Sequence, residues 1–375
     1  METQFTEQFR RFIEDANGHM RLMREEAFTV FRDIGFPTPK NEDWKYTNVA
    51  PIGKADWRAE TWEGSDGISD PTFLKFLRGF NFERNGFAAL NLAFARPFVL
   101  RIPQETVIET PFDLSFAAEP GYASFPHILV IAERGSKATI IESYAGHGFT
   151  NTAIQIVVED NANLTHYRVQ RESAEAFHVG MTEVALHAGS RYDSTNINLG
   201  GAISRHDIDL KFKAEGGEVW VDGLYMLNGS QHSDTHSIID HTVPNCTSHQ
   251  NYKGVLNDRS RGVFNGKVFV RENAHGTDAQ QSNKNLLLSN DARVDTKPQL
   301  EIFNDDVKCA HGATVGQLAE EELFYLLTRG LPKSLARNLL TYGFAEEIIN
   351  KIAIESIKSS LDAAVLNRLN TVLEG

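Results

Sequence analysis

Residues 189–222 read GSRYDSTNINLGGAISRHDIDLKFKAEGGEVWVD. Two segments within it, Thr195-Asn-Ile-Asn-Leu199 and Glu218-Val-Trp-Val-Asp222, read as short strands, and further on Gly262-Val-Phe-Asn-Gly-Lys-Val-Phe-Val270 shows the apolar–polar alternation of a half-buried strand. Beside them stand two turns of one pattern, Gly189-Ser-Arg-Tyr192 and Gly216-Gly-Glu-Val219: a small turn, a polar residue, then an apolar one. The pattern recurs as Gly135-Ser-Lys-Ala138, Asn161-Ala-Asn-Leu164 and Asp291-Ala-Arg-Val294. The last residues of the first four turns are 26, 28 and 27 positions apart, and 75 positions then separate Val219 from Val294. Further short strands, Ile128-Leu-Val-Ile131 and Ala153-Ile-Gln-Ile-Val-Val158, lie between the turns. A fixed period of this size with no helix inside it predicts a solenoid in which each coil buries its neighbour. The expected fold is mainly β, a right-handed parallel β-helix. The competing fold is a β-sandwich, which also turns about every 8 to 12 residues but does not repeat the turn signature.

The flanks read differently. Phe5, Phe9, Phe12, Ile13, Met20, Met23 and Phe28 recur at helical spacing amid charge, which predicts one or two amphipathic helices stopped by Gly35, Pro37 and Pro39. Asn41-Glu-Asp-Trp-Lys-Tyr-Thr-Asn48 reads as a strap that packs Trp44 and Tyr46 on the core. Residues 50–110 are mixed, with Phe87–Leu92 and Phe98–Ile102 as strand candidates. After Gly316, Gln317–Thr328 reads as a helix with Thr314 as a cap. A second helix is expected over Lys333–Tyr342 and, after a break at Gly343, a third over Phe344–Leu373. The expected organisation is an N-terminal helical and mixed region (1–110), a β-helix core (111–314) and a C-terminal helical module (315–375) that caps the open solenoid end or docks a partner.

Composition narrows the function. A net charge of -13 argues against a nucleic-acid backbone or an anionic membrane as the main partner. Two cysteines, Cys246 and Cys309, make neither a disulfide framework nor a CxxC motif, and read as reduced thiols. METQFTEQFRRFIEDANGHM has no continuous apolar run, so the expectation is a cytoplasmic protein without a signal peptide or a membrane span. No G-x-x-x-x-G-K-[ST], G-x-G-x-x-G, H-E-x-x-H or G-x-S-x-G occurs, so nothing in the motifs indicates an ATPase, dehydrogenase, zincin or hydrolase.

The residues that carry chemistry gather between Asp222 and Gly316, where both cysteines and His232, His236, His241, His249, His275 and His311 fall. In Cys309-Ala-His311 the two side chains, two apart on a strand, point the same way and suit a soft metal. Two ligands leave a shell incomplete, so a second subunit, Cys246 or another histidine would have to finish it. His232, His236, His241 and His249, spaced 4, 5 and 8 apart, do not fall on one strand face. Asp234, Asp240 and Asp258 are candidate acids for a polysaccharide-active β-helix enzyme.

The segment from His232 to Gln317, followed by Glu320-Glu-Glu-Leu-Phe-Tyr-Leu-Leu-Thr-Arg-Gly-Leu-Pro332, resembles the SufB/SufD family of iron–sulfur cluster assembly proteins. Asn41-Glu-Asp-Trp-Lys-Tyr-Thr47 looks like the N-terminal segment of its SufD branch. The resemblance implies a non-catalytic scaffold that pairs with a SufB-like subunit through the β-helix and docks the SufC ATPase through the C-terminal helices. His311 matches the family histidine near the interface, implicated in building a nascent cluster with a SufB cysteine. Cys309 matches a neighbouring cysteine often present in SufD, so the implied metal residues are His311 and Cys309, acting transiently on a cluster shared with the partner. Whether the complex carries reduced flavin stays open, as does a self-pairing homologue that works with SufC alone. The chain lacks the cysteine-rich motif of SufB and has Gly312 where SufB-type sequences place a glutamate, which favours the SufD branch.

Overall fold

The structure, a computed structural model, describes residues 4–14, 18–60 and 71–369. Its centre is a parallel β-solenoid of two facing sheets, one of ten strands and one of eight, in which every registered pair is parallel. From Lys137 onward successive strands alternate between the sheets, so each pair of strands makes one coil.

The turn signature has a conformational cause. Gly135, Asn161, Gly189, Gly216, Asn245 and Gly276 all have φ between 57° and 75°, the left-handed region that glycine enters freely and asparagine tolerates. In five of them the backbone N–H donates to a carbonyl of the next coil, as Gly135 does to Asp160 and Asn245 to His275. The residue three positions on begins a column of Cα partners: Ala138, Leu164, Tyr192, Val219, Ser248, Ala279 and Cys309. Asn245-Cys-Thr-Ser248 and Gly276-Thr-Asp-Ala279 therefore continue the series past Val219. Asp291-Ala-Arg-Val294, expected in that series, stands at the opposite corner, since Val294 pairs with Gly262 in the ten-stranded sheet.

Inward side chains fill the solenoid with an apolar core that includes Ile140, Leu164, Val184, Phe212, Val219 and Val268. Helices α1 (Thr6–Glu14) and α2 (Gly18–Ile34) lie over the outer face of the ten-stranded sheet with α3 (Ala50–Lys54), α4 (Pro71–Arg78) and α5 (Gly86–Phe94). Phe87–Leu92 belongs to α5 rather than to a strand, because all nine residues of α5 are buried between α2 and the sheet. Phe98–Ile102 is a strand. Trp44 packs as the strap predicts, stacked on Phe87 at 5.3 Å and covered by the Arg205 guanidinium at 3.8 Å.

At the other end come α6 (Glu320–Thr328), α7 (Lys333–Ile349) and α8 (Glu355–Arg368). Thr314 is not a helix cap; it lies in the last strand, and Ala319 precedes α6. Nor does Gly343 break a helix: α7 runs through it, and the chain turns at Asn350–Ile354 instead. The burial of Ala345, Ile348 and Ile349 against Leu224, Met226 and Val255 holds that helix straight across the glycine, offsetting its intrinsic cost of about 1 kcal/mol. The module rests on the flank of the eight-stranded sheet and does not cap the solenoid end. Among the described residues no helix is long and apolar enough to cross a membrane.

Candidate functional site

The solenoid ends in two strands with one free edge each. Arg293–Ile302 terminates the ten-stranded sheet and Val307–Gly316 the eight-stranded one. From Lys308 to Gly316 every residue but Cys309 is exposed, and Ile302, Phe303 and Val315 are 42%, 55% and 49% exposed. An edge of unpaired N–H and C=O groups with apolar side chains beside it is a template for pairing with another chain.

Cys309 and His311 sit on that last strand. Cys309 pairs with Ala279 and His311 with Gln281, both buried inward-facing residues, so thiol and imidazole look into the mouth of the solenoid. Their Cα atoms are roughly 7 Å apart along the strand. Cys309 is half-buried against the core and His311 is exposed. Burial pushes the Cys309 thiol up, offset in part by a backbone hydrogen bond at Ala279. Beneath His311, Gln281 Nε2 donates to Gln250 Oε1 at 2.8 Å, while Gln281 Oε1 is buried with no partner among the described residues. His311 also borders a cavity of about 370 Å³ with Asp222, Gln280 and Lys351, walled by Trp220 and His249 stacked at 4.3 Å. Burial raises the Asp222 carboxyl to about 6, opposed by Lys351 at 3.9 Å.

No other candidate joins this pair. Cys246 is fully buried two coils away, its Sγ donating to the Pro244 carbonyl at 3.3 Å and its thiol raised by burial. His232 and His236 face outward from the opposite sheet, where His232 Nε2 meets Thr47 Oγ1 at 2.8 Å and His236 Nε2 meets Asp234 at 3.1 Å. His241 turns inward onto Ser248 at 2.8 Å. His275 lies at the turn that receives the Asn245 N–H. Among the described residues no three His, Cys, Asp or Glu side chains gather as a metal site. The acids are engaged as well: Asp234 by Arg205 at 2.8 Å and Asp240 by Arg271 at 2.7 Å, while Asp258 accepts from the Gly229 N–H at 2.8 Å. They do not form the free carboxylate pair that glycoside hydrolysis requires.

Sequence reasoning missed a charged cluster sealed inside the solenoid. His166 Nε2 lies 2.8 Å from Glu142, with Arg168 behind at 3.8 Å and His178 against Glu172 at 3.0 Å. Polar residues at inward positions of otherwise apolar strands are the signal that could have found it.

Fold and site together define an end-open parallel β-solenoid whose last strand offers a thiol and an imidazole beside an unpaired edge. Residues 115–344 match the family described as SUF system FeS cluster assembly, SufBD core domain, and residues 2–65 match the SufBD protein N-terminal region. The chain belongs to the SufB/SufD family, on its SufD-like branch. It is 38% identical over 282 residues to an iron–sulfur cluster assembly SufBD family protein of Synechocystis, covering 71% of this chain and 62% of the relative. It is 36% identical over 255 residues to the iron–sulfur cluster assembly protein SufD of Escherichia coli, covering 67% of this chain and 60% of the relative. A chloroplastic protein of Arabidopsis thaliana, ABCI7, is 33% identical over 290 residues, with 73% and 60% covered. The chain thus spans about 60% of the length of these relatives.

Proposed function

We propose that this chain is a non-catalytic scaffold subunit of a cytoplasmic SUF-type complex, pairing end to end with a SufB-like sister chain. The observation that carries the reading is the position of Cys309 and His311 on the last, unpaired strand. Thiolate and imidazole suit iron, and two donors are half of the usual four, so a sister chain across the edge completes the shell. The nascent cluster is cargo, built between the subunits and passed on. Gln281, beneath His311 with an unsatisfied oxygen, is positioned to accept a hydrogen bond from the imidazole and so orient it.

The C-terminal helices supply the second contact. Helix α6 buries none of its residues, and Phe324 and Tyr325 are 68% and 56% exposed, an apolar face for a SufC-like ATPase. ATP-driven closure of that partner would pull on α6 to α8 and, through the sheet beneath them, shift the paired ends.

Anaerobic co-expression with SufB-like and SufC-like chains tests the reading by subunit ratio and visible absorbance. His311→Ala should leave the ratio unchanged and remove the cluster absorbance. Full absorbance in that variant would take His311 out of the mechanism. Co-purification with the ATPase alone, as a dimer of this chain, would replace the sister-chain reading by self-pairing.

A further inference from the structure

A second cleft lies on the flank of the solenoid, away from the open end. Helix α4 stands over the outer face of the ten-stranded sheet and leaves a cleft of about 450 Å³, the size of a small-molecule site. Its wall is fastened to its floor, since Gln155 Nε2 donates to the Phe76 carbonyl of α4 at 3.1 Å.

The floor has a direction. Ile131, Val157, Ala185 and Lys211 are successive Cα partners on four adjacent strands, all in the same outward column. Exposure grows along the column: Ile131 is 2% and Val157 6% exposed, Ala185 is half-buried and Lys211 exposed. With strands about 4.8 Å apart, the aliphatic track from Ile131 to Ala185 is roughly 10 Å long and ends in an ammonium group. Lys213, just past the end of that strand at Phe212, and Lys75, on α4, add positive charge at the rim. Among the described residues neither Lys75 nor Lys213 forms an ion pair, and Asp240, 3.7 Å from Lys211, is already held by Arg271 at 2.7 Å. A cationic rim is notable on a chain of net charge -13. The remaining acids oppose an anion weakly. Asp209 is paired with Arg84 at 2.5 Å, and burial, with Asp209 beside it, raises the Glu183 carboxyl to about 7.

We infer that this cleft binds a small amphipathic monoanion, a medium-chain carboxylate whose aliphatic tail lies on Ile131, Val157 and Ala185 and whose head group meets Lys211 and Lys213. Nothing in the cluster-assembly reading requires the site, and its variants leave the open end untouched.

Decanoate is the probe, titrated calorimetrically into the full chain. Wild type should bind it saturably at one site, hexanoate more weakly and butyrate not measurably, because only the longer tail reaches Ile131. Lys211→Glu together with Lys213→Glu should weaken decanoate at least about ten-fold while leaving decanol unaffected. Ala185→Trp, which fills the track, should abolish binding of both, with circular dichroism and the thermal midpoint showing that each variant folds. Absence of saturable decanoate binding in wild type overturns the inference. So does equal affinity in the charge-reversed variant, or decanol binding as tightly as decanoate.

Discussion

Glu142 sits in the solenoid interior with its side chain 1% exposed, a place where a lone carboxylate would be untenable. Burial alone would push its carboxyl up, but the hydrogen bond and charge of His166, with Arg168 behind, bring it down to about 2. Breaking such a set by removing one member leaves an uncompensated charge, so Arg168→Met should cost about 3–5 kcal/mol, measured by urea denaturation. An unchanged midpoint would show the cluster to be neutral for stability. His127 presents the opposite case. Burial lowers it to about 4 despite its hydrogen bond to Gln155, and its Nδ1 lies 2.8 Å from Asn91 Oδ1. With a folded value below the unfolded one of about 6.5, the unfolded state takes up the proton first as pH falls. Stability from this group is therefore present above pH 6.5 and lost on the way down to pH 4. His127→Gln should make the fall in stability across that window shallower than in wild type by on the order of 3 kcal/mol. Denaturation curves at several pH values check the difference, and parallel wild-type and variant profiles would contradict it. Neither residue stood out in the sequence, because a polar side chain on a strand reads as outward until the facing of that strand is known.

At the scale of elements, the corner and the strand carried most of the legible information. The Gly/Asn turn residue is dictated by a left-handed φ, and the alternation after it by the pleat, so both show in any single coil. Two coils nonetheless escaped the reading: Asn245-Cys-Thr-Ser248 ends on a polar residue where the pattern asks for an apolar one, and Gly276-Thr-Asp-Ala279 ends on a small alanine, as Gly135-Ser-Lys-Ala138 does. Helix boundaries at Thr314 and Gly343 were misjudged for a different reason: local capping and glycine rules gave way to strand pairing on one side and to burial of α7 on the other. The interior is also tight at places no local rule marks. A Cβ on Gly223 would come within 2.1 Å of the Tyr252 ring, so Gly223→Val should destabilise by about 1–3 kcal/mol or more, read by thermal melting. The free edge should behave oppositely. Ile302→Lys should change the stability of the isolated chain by no more than about 0.5 kcal/mol yet prevent end-to-end pairing. Light scattering of the co-expressed subunits would show it, and a retained complex would place the interface elsewhere.

At the scale of the molecule, the described residues form three apolar cores: one inside the solenoid, one under α1 to α5 and one under α7 and α8. The third is the smallest, and Ile348 and Ile349 are fully buried in it. Ile348→Ala should cost about 2–5 kcal/mol, and hydrogen exchange should rise in α7 and α8 before it rises in the coils. Uniform exchange would mean that module and solenoid unfold as one unit. The sequence by itself determined that the chain coils, because backbone conformation at the corners and the two-residue pleat are local and repeat. It also determined that Cys309 and His311 share a face, which follows from their being two apart on a strand. Only the tertiary structure decided that this face opens at the mouth of the last coil, that Cys246 lies two coils away, and that the helical module rests on the flank. Those facts depend on which strand pairs with which and where the stacking stops, and long-range register of that kind is set by the sum of packing along the whole solenoid rather than by any short stretch of residues.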